Sequence, residues 1–142
     1  MNTSKSININ NLVKSKTENV NYNPWLDIQN VDNTKQLSQL YNKVCQQHKH
    51  EKKWILVINP EDETLEKLSL SRDIDTSKIL RVNINKHSLN LTGINKALSK
   101  GNCSAVILSD AALKQDDISQ LTQSAWQGKT HCIMLNSAIT MH

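Results

Sequence analysis

The segment that decides the fold is Trp54-Ile55-Leu56-Val57-Ile58-Asn59-Pro60. Its first five residues are apolar without alternation, which predicts a strand with both faces covered by helices, as in the middle of a parallel sheet. Pro60 has no amide hydrogen to donate to a neighbouring strand, so the strand ends before it. A strand of this kind needs parallel neighbours from elsewhere in the chain.

The rest of the chain supplies such neighbours, because apolar runs alternate with amphipathic segments. Upstream, residues 34–47 carry apolar side chains at helical spacing, and Asp32 or Asn33 can cap that helix. This alternation predicts the α/β class, with a mostly parallel sheet of about four strands and flanking helices, and leaves the strand order open. The further predicted strands are residues 79–84, 105–108 and 132–135, and the further helices are about residues 63–70, 91–99 and 116–128.

Domain organisation follows from composition. Residues 1–24 are rich in Asn, Ser and Lys and show no sustained apolar period, which predicts a disordered N-terminal arm. Residues 25–142 form the predicted α/β domain. The chain has 142 residues and no Phe, so its single core must rest on Leu, Ile and Val.

Charge and cysteine content exclude several classes of protein. The net charge is +4, but the 17 Lys and Arg residues are scattered, so no specific nucleic-acid surface is predicted. The three cysteines, Cys45, Cys103 and Cys132, show no paired spacing and predict reduced thiols in a cytoplasmic protein. No apolar run is long enough for a membrane span, and the N-terminus has no secretory h-region.

One motif invites a phosphate-binding interpretation. Gly128-Lys129-Thr130 resembles the end of a phosphate-binding loop, but Gln123 stands where the first glycine is needed. The predicted order is also reversed, with the helix before the motif and the strand after it. A helix-ending glycine followed by a turn explains the motif better.

Two further groups of side chains could act in catalysis or metal binding. Asp110 follows an apolar strand and could act in phosphotransfer, yet an acid there more often begins a turn. Cys45, His48 and His50 could suggest a metal site, but their spacing at a helix end directs them to different sides. We therefore assign no catalytic, cofactor or metal residue, and predict that the protein is not an enzyme.

The cations near the first two strands allow two interpretations. Lys53, Lys78 and Arg81 flank the predicted strands at residues 54–59 and 79–84. Charges at strand boundaries are usually solvated, but at the edge of a sheet they can contact an acidic partner.

Several short sequence fragments between about residues 52 and 138 match those of one protein family and occur in the same order along the chain. Through them the chain resembles the SulA family, the inhibitors of bacterial cell division that DNA damage induces in the SOS response. The fragments are Lys53-Trp54 with the following strand and Pro60, Thr76-Ser77-Lys78-Ile79-Leu80, Ala97-Leu98, Gly101-Asn102-Cys103-Ser104-Ala105-Val106-Ile107, the helix ending before Gly128, Ile133-Met134 and Ser137-Ala138.

The resemblance implies a RecA-like α/β domain without a P-loop, acting on the tubulin-like GTPase FtsZ. Family members bind FtsZ at its polymerisation surface and so block septation. The positions that match the family's partner-binding residues are Lys53, Ile58, Leu68 and Lys78, and Leu68 stands where better-known members carry Trp. Turnover by the Lon protease is also implied, through a tail that here has residues 139–142 beyond Ala138.

The sequence thus predicts a cytoplasmic, homodimeric inhibitor that occludes a surface of FtsZ. In this interpretation Lys53 and Lys78 orient an acidic surface, and Ile58 and Leu68 supply or support apolar contacts. Ile58 could instead be a core residue, because its strand is apolar throughout. The alternative function is a degenerate RecA-like regulatory module that binds nucleic acid or a DNA-repair protein, and a third is an enzyme using Asp110.

Overall fold

The computed structural model describes residues 24–70, 75–84, 90–109 and 113–137. Most of the predicted arm, residues 1–23, lies outside them, as does Asp110. Within the described ranges the chain forms five strands and four helices. The strands are β1 (Leu26–Val31), β2 (Trp54–Ile58), β3 (Ile79–Val82), β4 (Cys103–Ser109) and β5 (His131–Ser137), and the helices are α1 (Thr34–Gln47), α2 (Asp62–Ser69), α3 (Leu91–Lys100) and α4 (Gln115–Gly128).

The strands form one parallel sheet in the order β1-β5-β4-β2-β3. α1 and α2 carry the chain across the sheet in one direction, from β1 to β2 and on to β3. α3 and α4 carry it back to β4 and β5. Crossover connections between parallel strands are right-handed. Connections that proceed across the sheet in opposite directions therefore place their helices on opposite faces of the sheet.

The core confirms this arrangement, since the buried apolar residues fall into two clusters separated by the sheet. One cluster joins the sheet to α1 and α2 and includes Leu37, Tyr41, Leu65 and Ile107. The other joins it to α3 and α4. Alternate residues of the central strand β4 enter the two clusters, and β4 is buried along its whole length, the pattern of a strand covered on both faces. The sequence predicted this pattern for β2, which also contributes to both clusters, although Trp54 is exposed and Leu56 is half-buried.

The α/β class and the parallel sheet are confirmed, but the predicted count of about four strands is too low. β1 was missed because its sequence, Leu-Asp-Ile-Gln-Asn-Val, interrupts its apolar residues with polar ones. An edge strand tolerates this pattern, since only part of its surface is covered. Leu26 and Val31 are buried, whereas residues between them are partly accessible.

Local signals place the helix ends where the sequence predicts them. α1 spans Thr34–Gln47 as expected, and the Asn33 side chain accepts a hydrogen bond from the Gln36 amide at 2.9 Å. Gly101 follows α3 with a φ of 74°, a left-handed conformation that suits glycine. No helix in the described ranges is long and apolar enough to cross a membrane.

Candidate functional site

Two of the predicted partner-binding residues, Lys53 and Lys78, meet at one end of the sheet. Lys53 immediately precedes β2 and Lys78 immediately precedes β3, and these strands are parallel neighbours. The amide of Ile55 donates to the Lys78 carbonyl at 2.8 Å. Lys53 is exposed and Lys78 is half-buried. The amino end of the β2–β3 pair therefore presents both cations together.

The Lys78 ammonium also holds the turn that follows α1. Its Nζ donates to the carbonyl oxygen of Lys49 at 2.9 Å and to that of Glu51. A charged donor makes a strong hydrogen bond to a carbonyl oxygen, and both acceptors lie in the turn beyond the end of α1. Lys78 is thus part of the framework that positions Lys53 as well as a candidate contact.

The same turn carries a carboxylate next to Lys53. Partial burial raises the pKa of the Glu51 carboxyl, but interactions with the side chains of His48 and Ser104 and with the charges of His48 and Lys53 lower it below its usual value overall. His48 Nδ1 lies 2.6 Å from Glu51 Oε2. The Glu51 carboxylate therefore pairs with His48 while it stays largely exposed, and its charge interacts with that of Lys53.

The other two predicted residues, Ile58 and Leu68, are buried. Ile58 is 2% exposed in the cluster beneath α3 and α4, whereas Leu68 is 6% exposed in the cluster beneath α1 and α2. The sheet separates them, so the structure does not bring all four predicted residues onto one surface. Their part in partner binding stays a prediction. Because both are buried, they could affect binding only indirectly, by supporting the residues at the surface.

Sequence reasoning missed the exposed apolar residues beside these cations. Trp54, Leu80 and Val82 are 46%, 40% and 37% exposed. We call these three residues, with the half-buried Leu56, the β2–β3 apolar patch. In sequence they belong to apolar runs that resemble any buried strand. Only the strand order, which puts β3 at the edge, distinguishes them.

The opposite end of the sheet is where open α/β folds commonly bind ligands. β2 and β4 are neighbours, and the helices that follow them, α2 and α4, leave to opposite faces, which opens a crevice at the carboxyl ends. In this chain Glu61 caps α2. Its carboxylate accepts hydrogen bonds from the amides of Glu63 and Thr64, at 3.1 and 3.0 Å, and from the Thr64 hydroxyl. The Glu61 carboxylate thus accepts the hydrogen bonds that these amide groups could otherwise donate to a bound phosphate.

The Gly128-Lys129-Thr130 segment closes α4 and leads into β5, in the order the sequence predicts. Gly128 lies against α3, and the buried Thr130 hydroxyl donates to the Leu98 carbonyl at 2.8 Å. These contacts serve packing between the two helices.

The thiol groups that the sequence offers as potential ligands are buried. Cys45, Cys103 and Cys132 are free and buried, and burial raises the pKa of the Cys132 thiol to about 12. Within the described ranges, no three His, Cys, Asp or Glu side chains are grouped so that they could hold a metal ion.

Comparisons with known proteins give two findings. A family model described as "Cell division inhibitor SulA" matches residues 26–132. The crystal structure of SulA from Pseudomonas aeruginosa is similar in fold, with a TM-score of 0.62 and 17% sequence identity over 81% of this chain and 99% of that chain. A search of curated proteins found no match.

Proposed function

We propose that this chain, which belongs to the SulA family of cell division inhibitors, binds FtsZ and withholds its subunits from polymerisation during the SOS response. The observation that carries the proposal is the family match. It extends from the first residue of β1 through all four described helices to the start of β5.

The proposed action needs no chemical step. Polymerisation requires two subunit faces to meet, so a protein bound to one face removes that subunit from the assembling pool by mass action. The effect is then stoichiometric, and inhibition rises in proportion to the inhibitor added. We place this action in the cytoplasm and expect a homodimer. Turnover by the Lon protease stays a prediction.

The amino end of the β2–β3 pair supports this proposal physically. Lys53 is exposed there, and the turn that carries it is tied to β3 by Lys78. A fixed cation at the rim of a binding surface accelerates encounter with an acidic partner and orients it. We assign this steering role to Lys53.

The test is a titration of the purified chain into FtsZ assembling with GTP, with sedimented polymer as the readout. We expect polymer to fall linearly and to vanish at about equimolar inhibitor. Lys53→Glu should raise the dose required by at least about fivefold, since it places like charges together. Lys96→Glu is the matched control, because Lys96 lies in the groove between α3 and α4, and it should behave as the wild type.

An equimolar dose of folded wild-type chain that leaves polymer unchanged contradicts the proposal. Equal effects of Lys53→Glu and Lys96→Glu contradict only the assignment of Lys53.

A further inference from the structure

The β2–β3 apolar patch lies on a part of the sheet that the helices leave accessible. On the face occupied by α3 and α4, α3 packs against β4 and α4 against β5. β3 lies beyond β2 at the edge of the sheet. All four residues of β3 are at least partly accessible, in contrast to the fully buried β4.

The patch is continuous because its residues are neighbours in register. Leu56 pairs with Leu80, and Ile58 pairs with Val82. Alternation along β2 places Trp54 on the same face as Leu56 and Ile58. Trp54 pairs with Cys103 of β4, which belongs to the cluster on that face, and the register with β4 shifts between Trp54 and Ile55. Trp54, Leu80 and Val82 thus form an exposed apolar surface that continues inward to the buried Ile58.

The residues around the patch are mostly basic. The turn before β2 contributes Lys49, Lys52 and Lys53, and Lys78 precedes β3. Against these cations stand Glu51 and Asp75, whereas Arg81 alternates with Leu80 and Val82 and so lies on the opposite face of the sheet, as the register partner of Val57. The border of the patch therefore favours a surface that combines apolar groups with carboxylates.

We propose that the β2–β3 apolar patch is the docking surface for an apolar segment flanked by carboxylates on the protein partner, an inference that rests on the proposed function. We assign Trp54 as its anchor, since tryptophan side chains that become buried on binding often contribute a large share of the binding free energy. Lys53 and Lys78 form its charged rim.

Charge argues against a second copy of this chain on the surface, and side-chain type argues against nucleic acid. A two-fold contact between two copies would bring the cations of both patches against each other. Nucleic acid gains from aromatic stacking, but Leu80 and Val82 offer aliphatic groups instead.

The patch also gives Ile58 a role consistent with its burial. Ile58 lies beneath the surface as the register partner of Val82. A smaller residue at position 58 would leave a cavity, into which Val82 and its exposed neighbours could shift, and this would change the shape of the patch. The predicted involvement of Ile58 in partner binding is then indirect.

Two exposed tryptophans provide a matched test. Trp54 is 46% exposed in the patch, and Trp126 is 58% exposed near the end of α4, also beside a lysine, with Lys129 Nζ 5.9 Å from its ring centroid. With labelled FtsZ in an anisotropy titration, Trp54→Ala should weaken binding by at least about tenfold, and Trp126→Ala should change it by less than about twofold. Leu80→Ser should weaken binding in the same direction as Trp54→Ala.

Circular dichroism and urea midpoints show whether each variant is folded, and Leu80→Ser carries the test if Trp54→Ala is not. If the wild type binds FtsZ and both patch variants bind as tightly as Trp126→Ala, the docking surface is wrong while the proposed function stands. If the wild type does not bind FtsZ, the docking surface and the proposed function are both wrong. If the patch variants only convert a dimer into a monomer in sedimentation, the patch is a self-association surface and the inference is overturned.

Discussion

The ammonium group of Lys78 contacts two backbone carbonyls of the turn after α1, and this determines what a mutation there would measure. Lys78→Glu removes both hydrogen bonds and places a carboxylate near Glu51 and Asp75. Loss of partner binding by that variant therefore combines a loosened turn with a changed surface charge. A neutral substitution of similar length separates the two effects.

We expect Lys78→Met to lower the free energy of unfolding by about 1 kcal/mol, because the charged donor is lost while water can still solvate the exposed carbonyls. Urea denaturation measures this. Lys52→Met is the matched control in the same exposed turn and should change stability by less than about 0.5 kcal/mol. Equal stability of the two variants would show that the Lys78 contacts contribute nothing.

Single residues also show how far the sequence could define the candidate site. It indicated Lys53 and Lys78 as cations that flank two predicted strands and through the family resemblance, and the structure places both at the amino end of the β2–β3 pair. It could not tell that Trp54 is half-exposed while Ile58 is buried. Both belong to one apolar run, and their difference depends on which helix covers which strand.

Among the helices, α3 and α4 approach each other closely at Gly128. A Cβ built on Gly128 would lie 1.8 Å from the Leu98 carbonyl oxygen, and the Thr130 hydroxyl donates to that same oxygen. The backbone of α3 cannot yield as a flexible side chain would. Gly128 is thus required by helix packing rather than by any bound phosphate.

Gly128→Ala should destabilise the fold by about 3 kcal/mol or more, at the upper end of overpacking effects, because the new methyl group forces the two helices apart. Thermal or urea unfolding measures the change. Gly93→Ala is the control within α3, where the nearest atom to a new Cβ is the Asn90 side-chain nitrogen at 3.3 Å. It should be neutral or stabilising by up to about 1 kcal/mol. Equal effects of the two substitutions would rule out the close approach.

The elements themselves were predictable to different degrees. α1 has apolar residues at helical spacing and a capping Asn33, so its bounds follow from local chemistry. β1 could not be found in the same way, because polar residues interrupt its apolar ones and its order comes from pairing with β5, the last of the described strands. Such a contact between distant segments leaves no local pattern.

At the scale of the whole molecule, the two ends of the sheet differ in chemistry. At the carboxyl end, the carboxylate of Glu61 accepts hydrogen bonds from the backbone amides at the start of α2. At the amino end, exposed lysines border the β2–β3 apolar patch. In open α/β folds ligands usually bind at the carboxyl ends, whereas the lysines and the apolar patch that we propose to bind the partner lie at the opposite end and at an edge.

This division predicts that two kinds of substitution respond differently to salt. Between about 50 and about 500 mM NaCl, FtsZ binding by the wild type should weaken by roughly tenfold, since screening removes the contribution of exposed lysines. Lys53→Gln should weaken binding at low salt and approach the wild type at high salt. Trp54→Ala should weaken it by a similar factor at both, because apolar burial is not screened. A dissociation constant independent of salt would contradict charge steering, and tight DNA binding whose affinity falls steeply with salt would favour the nucleic-acid alternative.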